Sequence, residues 1–210
     1  QAHLWLPESF RSVSKWKTEA GAMTKQNQKV VVKGVFLYQI LMEKYGKEDL
    51  LDFARSLQLW KNSKLKKAEL AQKISGELQN TGVMKRRPAV WSTQERTLFE
   101  RAMRSPFIPA DEERNTAFRL DDSEYAYLDV EGKLCMPEDV AVRYLSLNTA
   151  EYREYSRKMS WLAQCLNFGR KLYGIFGKDV LLELFNQKKG MHVSAEELEQ
   201  LCFDFPRALI

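Results

Sequence analysis

The sequence predicts a mainly α protein with one β-hairpin, and three features carry that prediction. Apolar side chains recur at three- and four-residue spacing along most of the chain. Ser-x-x-Glu capping signals stand at Ser92 with Glu95 and at Ser194 with Glu197. One stretch, "EYAYLDVEGKLCMP", alternates apolar and polar residues around a turn sequence. The 210 residues are 44% hydrophobic and 29% charged with only 10 Gly and 6 Pro, a globular profile with enough chain for a core without disulfides.

Residues 1–29 are polar, with Trp5 and Trp16 as isolated apolar anchors. Over residues 30–45 the positions of Val32, Val35, Phe36, Ile40 and Leu41 suit a helix, and Gly46 is its expected C-terminal stop. "KEDLLDFARSLQL" (residues 47–59) puts Leu50, Leu51, Ala54 and Leu57 on one stripe, with Glu48 and Asp49 against the positive end of the helix dipole. A short loop, "WKNS", leads to a second helix whose apolar face is Leu65, Ala68, Leu70, Ala71 and Ile74, ending at the "NTG" break of residues 80–82. "STQERTLFERAM" opens on its capping box and turns Leu98, Phe99 and Ala102 inward. The hairpin follows, with Tyr125, Tyr127 and Leu128 before the turn and Leu134 to Met136 after it, and Pro137 opens the next helix. The longest helix is expected from "NTAEYREYSRKMSWLAQCLNFGRKLYG", capped by Asn148. Two shorter helices, "KDVLLELF" and "SAEELEQLCFDF", close the chain. The four expected segments are an N-terminal extension and helix (1–46), a helix–loop–helix pair (47–90), helices with the hairpin (91–147) and C-terminal helices (148–210).

"GKEDLLDFARS…KKAELAQKI" and "GKDVLLELFNQ…SAEELEQLC" share a Gly-Lys helix start and a helix–loop–helix length. Amphipathic helix pairs produce such an echo without any duplication.

The composition excludes several classes. Cys135, Cys165 and Cys202 are odd in number and outside any C-x-x-C spacing, which points away from a disulfide framework or zinc knuckle and toward a reducing compartment. The most apolar run, residues 30–42, is interrupted by Lys33 and falls short of the ~20 residues that a spanning helix needs. No secretory signal pattern opens the chain, which starts at Gln1 as a processed product or excised fragment would; a cytoplasmic protein is expected. With two histidines, His3 and His192, and Cys202 expected as a buried thiol, no Ser-His-Asp or Cys-His device is recognisable. Neither G-x-x-x-x-G-K-[ST] nor G-x-G-x-x-G occurs, and the acid pairs Glu112/Glu113, Asp121/Asp122 and Glu196/Glu197 fall where solvation and helix dipoles place acids anyway. No cofactor, no metal and no enzymatic activity are expected.

Charge is the more telling signal. Residues 1–105 hold 20 Lys and Arg against 10 Asp and Glu, whereas residues 106–210 hold 13 against 18, which together give the chain's net +5. A basic half is compatible with nucleic acid, DNA or RNA.

"DLLDFARSLQLWKNSKLKKAELAQKI" resembles the helix–extended loop–helix unit of the SAP motif and of the N-terminal domain of the transcription terminator Rho. Leu50, Leu51, Ala54, Leu57 and Leu59 fill the first helix and its exit; Leu65, Lys66, Lys67, Glu69, Leu70 and Ile74 fill the second. The glycine that usually precedes the loop is absent, and Gln58 and Trp60 flank Leu59 instead. The resemblance implies that Lys64, Lys66 and Lys67, with the first amides of the second helix, face one phosphate backbone. Lys61 in the loop and the further patch Lys85, Arg86 and Arg87 complete the expected basic site. The remainder resembles uncharacterised bacterial proteins that place such a unit before a helical region, some with a C-terminal SEC-C zinc motif, whose zinc cysteines this chain lacks. The helix–hairpin–helix order of residues 92–147 is winged-helix-like.

Two functions follow as expectations. The first is a non-enzymatic nucleic-acid-binding protein gripping phosphates through residues 47–87. The second is a protein-interaction module using the acidic, aromatic half, through Tyr125, Tyr127, Tyr144, Tyr152, Tyr155 and Trp161, side chains that would serve equally as core. A membrane partner is not expected.

Overall fold

Leucine stripes at helical spacing set the first layer of the computed structural model, which describes residues 34–206. Helix α1 (Leu37–Lys44) buries Leu37, Ile40 and Leu41, and α2 (Lys47–Ser56) buries Leu50, Phe53 and Ala54. Both pack on α3 (Lys67–Leu78), whose buried Leu70, Ala71, Ile74, Ser75 and Leu78 form one continuous stripe. A short α4 (Thr81–Arg86) starts where Asn80 Oδ1 accepts the Gly82 N–H at 2.9 Å, and a 3-10 turn (Pro88–Val90) follows it.

The expected capping box starts α5 (Thr93–Arg104): Ser92 Oγ accepts the Glu95 N–H at 3.2 Å, and Glu95 Oε2 accepts the Ser92 N–H at 2.7 Å. A 3-10 turn (Asp111–Glu113) leads into α6 (Arg114–Asp122). The hairpin joins β1 (Tyr127–Leu128) to β2 (Leu134–Cys135), antiparallel, with Tyr127 opposite Cys135 and Leu128 opposite Leu134. Gly132 at φ +77° and the Asp129 carboxylate, which accepts the Glu131 and Lys133 amides at 2.9 Å, shape its turn. Helices α7 (Glu138–Leu147), α8 (Ala150–Tyr173), α9 (Lys178–Asn186) and α10 (Ala195–Asp204) complete the chain. The protein is mainly α with one two-stranded hairpin, as its periodicity predicts.

One connected set of buried side chains runs from Leu37 to Phe205 through helices α1 to α10 and the hairpin. Trp91, Phe99 and Tyr144 form its aromatic centre, with ring centroids 4.7 Å and 4.9 Å apart. Tyr125 ties the halves together: its ring lies 6.0 Å from that of Trp91, and its hydroxyl donates at 2.8 Å to the Leu78 carbonyl at the end of α3.

Several boundaries depart from the sequence expectation. The first helix starts at Leu37, and the expected start at residue 30 lies outside the described residues. Gly46 does not stop that helix but caps the next one, its N–H donating to Asp49 Oδ2 at 3.0 Å. Helix α2 ends at Ser56 instead of residue 59; α3 ends just before the "NTG" stretch, as expected, and Asn80 in that stretch also caps α4. Thr149, not Asn148, caps α8, its hydroxyl accepting the Tyr152 N–H at 3.2 Å. Cys202 is half-buried where a buried thiol was expected. No helix among the described residues is long and apolar enough to cross a membrane.

Candidate nucleic-acid interface

The candidate basic site is built on the connection between α2 and α3. Helix α2 closes in a Schellman turn, with the Gln58 N–H donating to Arg55 O at 2.9 Å and the Leu59 N–H to Ala54 O at 2.8 Å. Gln58 takes φ +59°, a left-handed backbone that favours glycine, in the step where the SAP-like pattern has one. The chain then runs extended, with Leu57, Leu59 and Leu65 packed on the core. Buried Asn62 fixes its path: its amide donates to Leu59 O at 2.8 Å, its Oδ1 accepts Lys73 Nζ at 2.6 Å, and its carbonyl accepts the Leu65 N–H at 3.0 Å. The backbone that carries the lysines is thereby fixed.

Lys61, Lys64 and Lys66 are exposed and Lys67 is half-buried. Lys66 is the N-cap of α3 and offers no side-chain acceptor to the first turn. Glu69 reaches back to accept the Lys66 N–H at 2.7 Å, so one carboxylate already sits at the positive end of the helix dipole. The attraction for an anion therefore rests mainly on the lysines. The second patch lies beyond the other end of α3, a 12-residue helix about 18 Å long at ~1.5 Å per residue. There Lys85 Nζ stands 4.8 Å from the Tyr155 ring centroid, and the Arg87 guanidinium is 5.9 Å from that of Tyr125. Arg86 is exposed, and its Nε donates to Gly82 O at 3.1 Å. Lys85 and Arg87 thus brace the aromatic core, while Arg86 points outward. Among the described residues none of these seven side chains enters an ion pair.

The aromatic residues expected to offer a partner surface are largely interior. Tyr125, Tyr144 and Tyr152 are buried, while Tyr127, Tyr155 and Trp161 are half-buried, with Trp161 Nε1 donating to Phe185 O at 2.9 Å. Large side chains at helical spacing went to the core, where their area is worth most.

Two features were not read from the sequence. Trp60, between the Schellman turn and Lys61, is 65% exposed. The second is a buried ionic cluster: Lys44 Nζ meets Glu124 Oε1 at 3.0 Å and the Asp121 carbonyl at 2.8 Å, and the Tyr45 hydroxyl donates to the same Glu124 oxygen. Glu124 is 3% exposed at φ +67°, and burial raises its carboxyl above the usual range against the pull of Lys44. This cluster binds α1 to the α6–β1 junction. Burial also pushes the Cys135 and Cys165 thiols up to about 11, which makes them poor nucleophiles. No group of three or more His, Cys, Asp and Glu among the described residues is placed to hold a metal. Compared with protein-family profiles, curated proteins and solved structures, the chain finds no match in any of the three.

Proposed function

We infer that the chain is a non-enzymatic, cytoplasmic nucleic-acid-binding protein that grips the phosphate backbone through Lys61, Lys64, Lys66 and Lys67. One observation carries the reading: four lysines on a connection fixed by Asn62, none of them in an ion pair among the described residues. Counter-ions held by an unpaired cluster of this kind are released when phosphates replace them, which favours binding entropically. Arg86, exposed beyond the far end of α3, would extend the contact. The α5–α6–hairpin order supports a winged-helix-like role for residues 91–147 as the platform behind the grip.

The test is fluorescence anisotropy of labelled duplex DNA, single-stranded DNA and RNA. Four phosphate contacts give a slope near −3.6 in log affinity against log salt, roughly a 150-fold loss for duplex between ~50 and ~200 mM. Reversing Lys64, Lys66 and Lys67 to Glu should weaken every sequence alike, since phosphate contacts position without specifying. Salt-independent binding, or a triple variant that binds as the parent does, would sink the assignment.

A second reading has one observation of its own. Phe168, Leu172, Tyr173 and Ile175 are exposed around the end of α8, Ile175 to 97%, so an apolar protein partner fits that end of the acidic half.

A further inference from the structure

We propose that the preferred ligand is an unpaired strand, and that one of its bases stacks on the indole of Trp60. This rests on the phosphate-gripping role of the neighbouring lysines and adds the class of strand to it.

The argument starts from backbone geometry. Among the described residues only three non-glycine residues take positive φ: Gln58 at +59°, Lys61 at +63° and Glu124 at +67°. Left-handed backbone at a residue with a Cβ costs roughly 1 kcal/mol and persists where surrounding structure enforces it. Glu124 has such a reason in the buried ionic cluster. The other two bracket Trp60. Together they bend the chain so that Leu59 faces the core while Trp60, the next residue, points into solvent. A loop that buries its leucines and turns out its largest apolar side chain leaves unused the area that burying an indole would gain.

The indole's surroundings define its ligand. Among the described residues Trp60 makes no ring or cation contact with the protein, and 65% of it is open to solvent. Lys61 adjoins it and Lys64 follows, both exposed. A planar apolar face next to unpaired ammonium groups matches a nucleotide, base on the ring and phosphate on the amines. A paired base in duplex has its faces covered by its neighbours, so only an unpaired strand can use the ring without the cost of flipping a base out. An apolar protein segment could also cover an indole, but it would gain nothing from Lys61 and Lys64.

The test uses the full chain with a labelled 20-nucleotide dT strand and the matching dA:dT duplex. Trp60→Leu keeps an apolar side chain without a ring, Trp60→Phe keeps a ring, and both sit on an exposed position where folding is not at stake. The parent should bind the single strand more tightly than the duplex. Trp60→Leu should lose about 5- to 100-fold on the single strand, the range expected for one stacked base, with duplex affinity unchanged. Trp60→Phe should recover most of that loss. Single-strand affinity within about twofold of the parent in Trp60→Leu, or an equal loss on both ligands, overturns the stacking role and leaves the phosphate grip standing. A chain that binds neither ligand even at ~50 mM salt overturns both.

Discussion

α2 begins behind Gly46 and α9 behind Gly177, each with lysine as its first residue and buried leucine at its fourth position, Leu50 and Leu181. Each pairs with a later helix that has glutamate three residues after the cap and leucine next, Glu69 and Leu70 in α3, Glu197 and Leu198 in α10. Each connection hangs on an asparagine. Asn62 holds Leu59 and Lys73, while Asn186 holds both the N–H and the carbonyl of Val193, at 2.9 Å and 3.1 Å. The charges differ. Residues 46–78 carry seven Lys and Arg against five Asp and Glu; residues 177–205 carry three against six. In the second pair two of the three lysines also have partners: Lys178 meets Glu199, and Lys188 lies 4.3 Å from the Trp161 ring centroid. The apolar stripe and the caps are what this architecture requires. The lysines without ion pairs among the described residues and the outward Trp60 of the first pair are extra, and they set it apart from the second pair, which shares its sequence pattern.

Charge reversal probes that difference with the largest expected effect. Lys64, Lys66 and Lys67 changed to Glu should lower nucleic-acid affinity by roughly 100-fold or more near 0.1 M salt. Lys188 and Lys189 changed to Glu in the second pair should leave it within about twofold, since long-range effects on an exposed site are screened beyond ~10 Å. Equal losses in an anisotropy titration would mean that only net charge matters and that the first connection has no special role.

The asparagines come next. Asn62→Ala removes a buried side chain and its two hydrogen bonds, to the Leu59 carbonyl and from the Nζ of exposed Lys73, a cost of about 1–3 kcal/mol in chemical denaturation. Asn186→Ala should cost a similar amount by freeing both polar groups of Val193. The two should part in function: the loss at Asn62 should carry nucleic-acid affinity down with it, because the lysines lose their fixed path, and the loss at Asn186 should not. Affinity that survives Asn62→Ala would show that flexible lysines suffice.

The sequence disclosed the helices wherever a long apolar stripe met a distinctive cap. Ser92 with Glu95 could be placed to the residue because serine and glutamate at that spacing have one common use. Gly46 could not, because glycine ends one helix as readily as it precedes another; what decides is the extended backbone at Tyr45, which periodicity does not encode. Asn148 and Thr149 are both good caps, and a one-residue choice between them is made by packing further along α8. For the site, the lysines were visible as charge, and their freedom from ion pairs was not. Trp60 was passed over because its orientation depends on two left-handed residues that no composition rule would place at Gln58 and Lys61.

The same backbone gives the smallest of the expected effects. Gln58 closes the Schellman turn of α2 at φ +59°, a backbone that costs a residue with a Cβ, whereas the second pair places Gly190, φ +77°, within the turn closed by the Met191 N–H on Lys188 O at 3.0 Å. Exchanging the residue types should move stability in opposite directions. Gln58→Gly relieves the left-handed strain but gives the unfolded chain more freedom, for a net gain of up to about 1 kcal/mol. Gly190→Ala imposes the strain and should cost about 1 kcal/mol or slightly more. Thermal unfolding reads both. If Gln58→Gly destabilises the chain, the glutamine side chain makes a contribution that outweighs its strained backbone, and the departure from glycine at that step is itself a feature of the surface around Trp60.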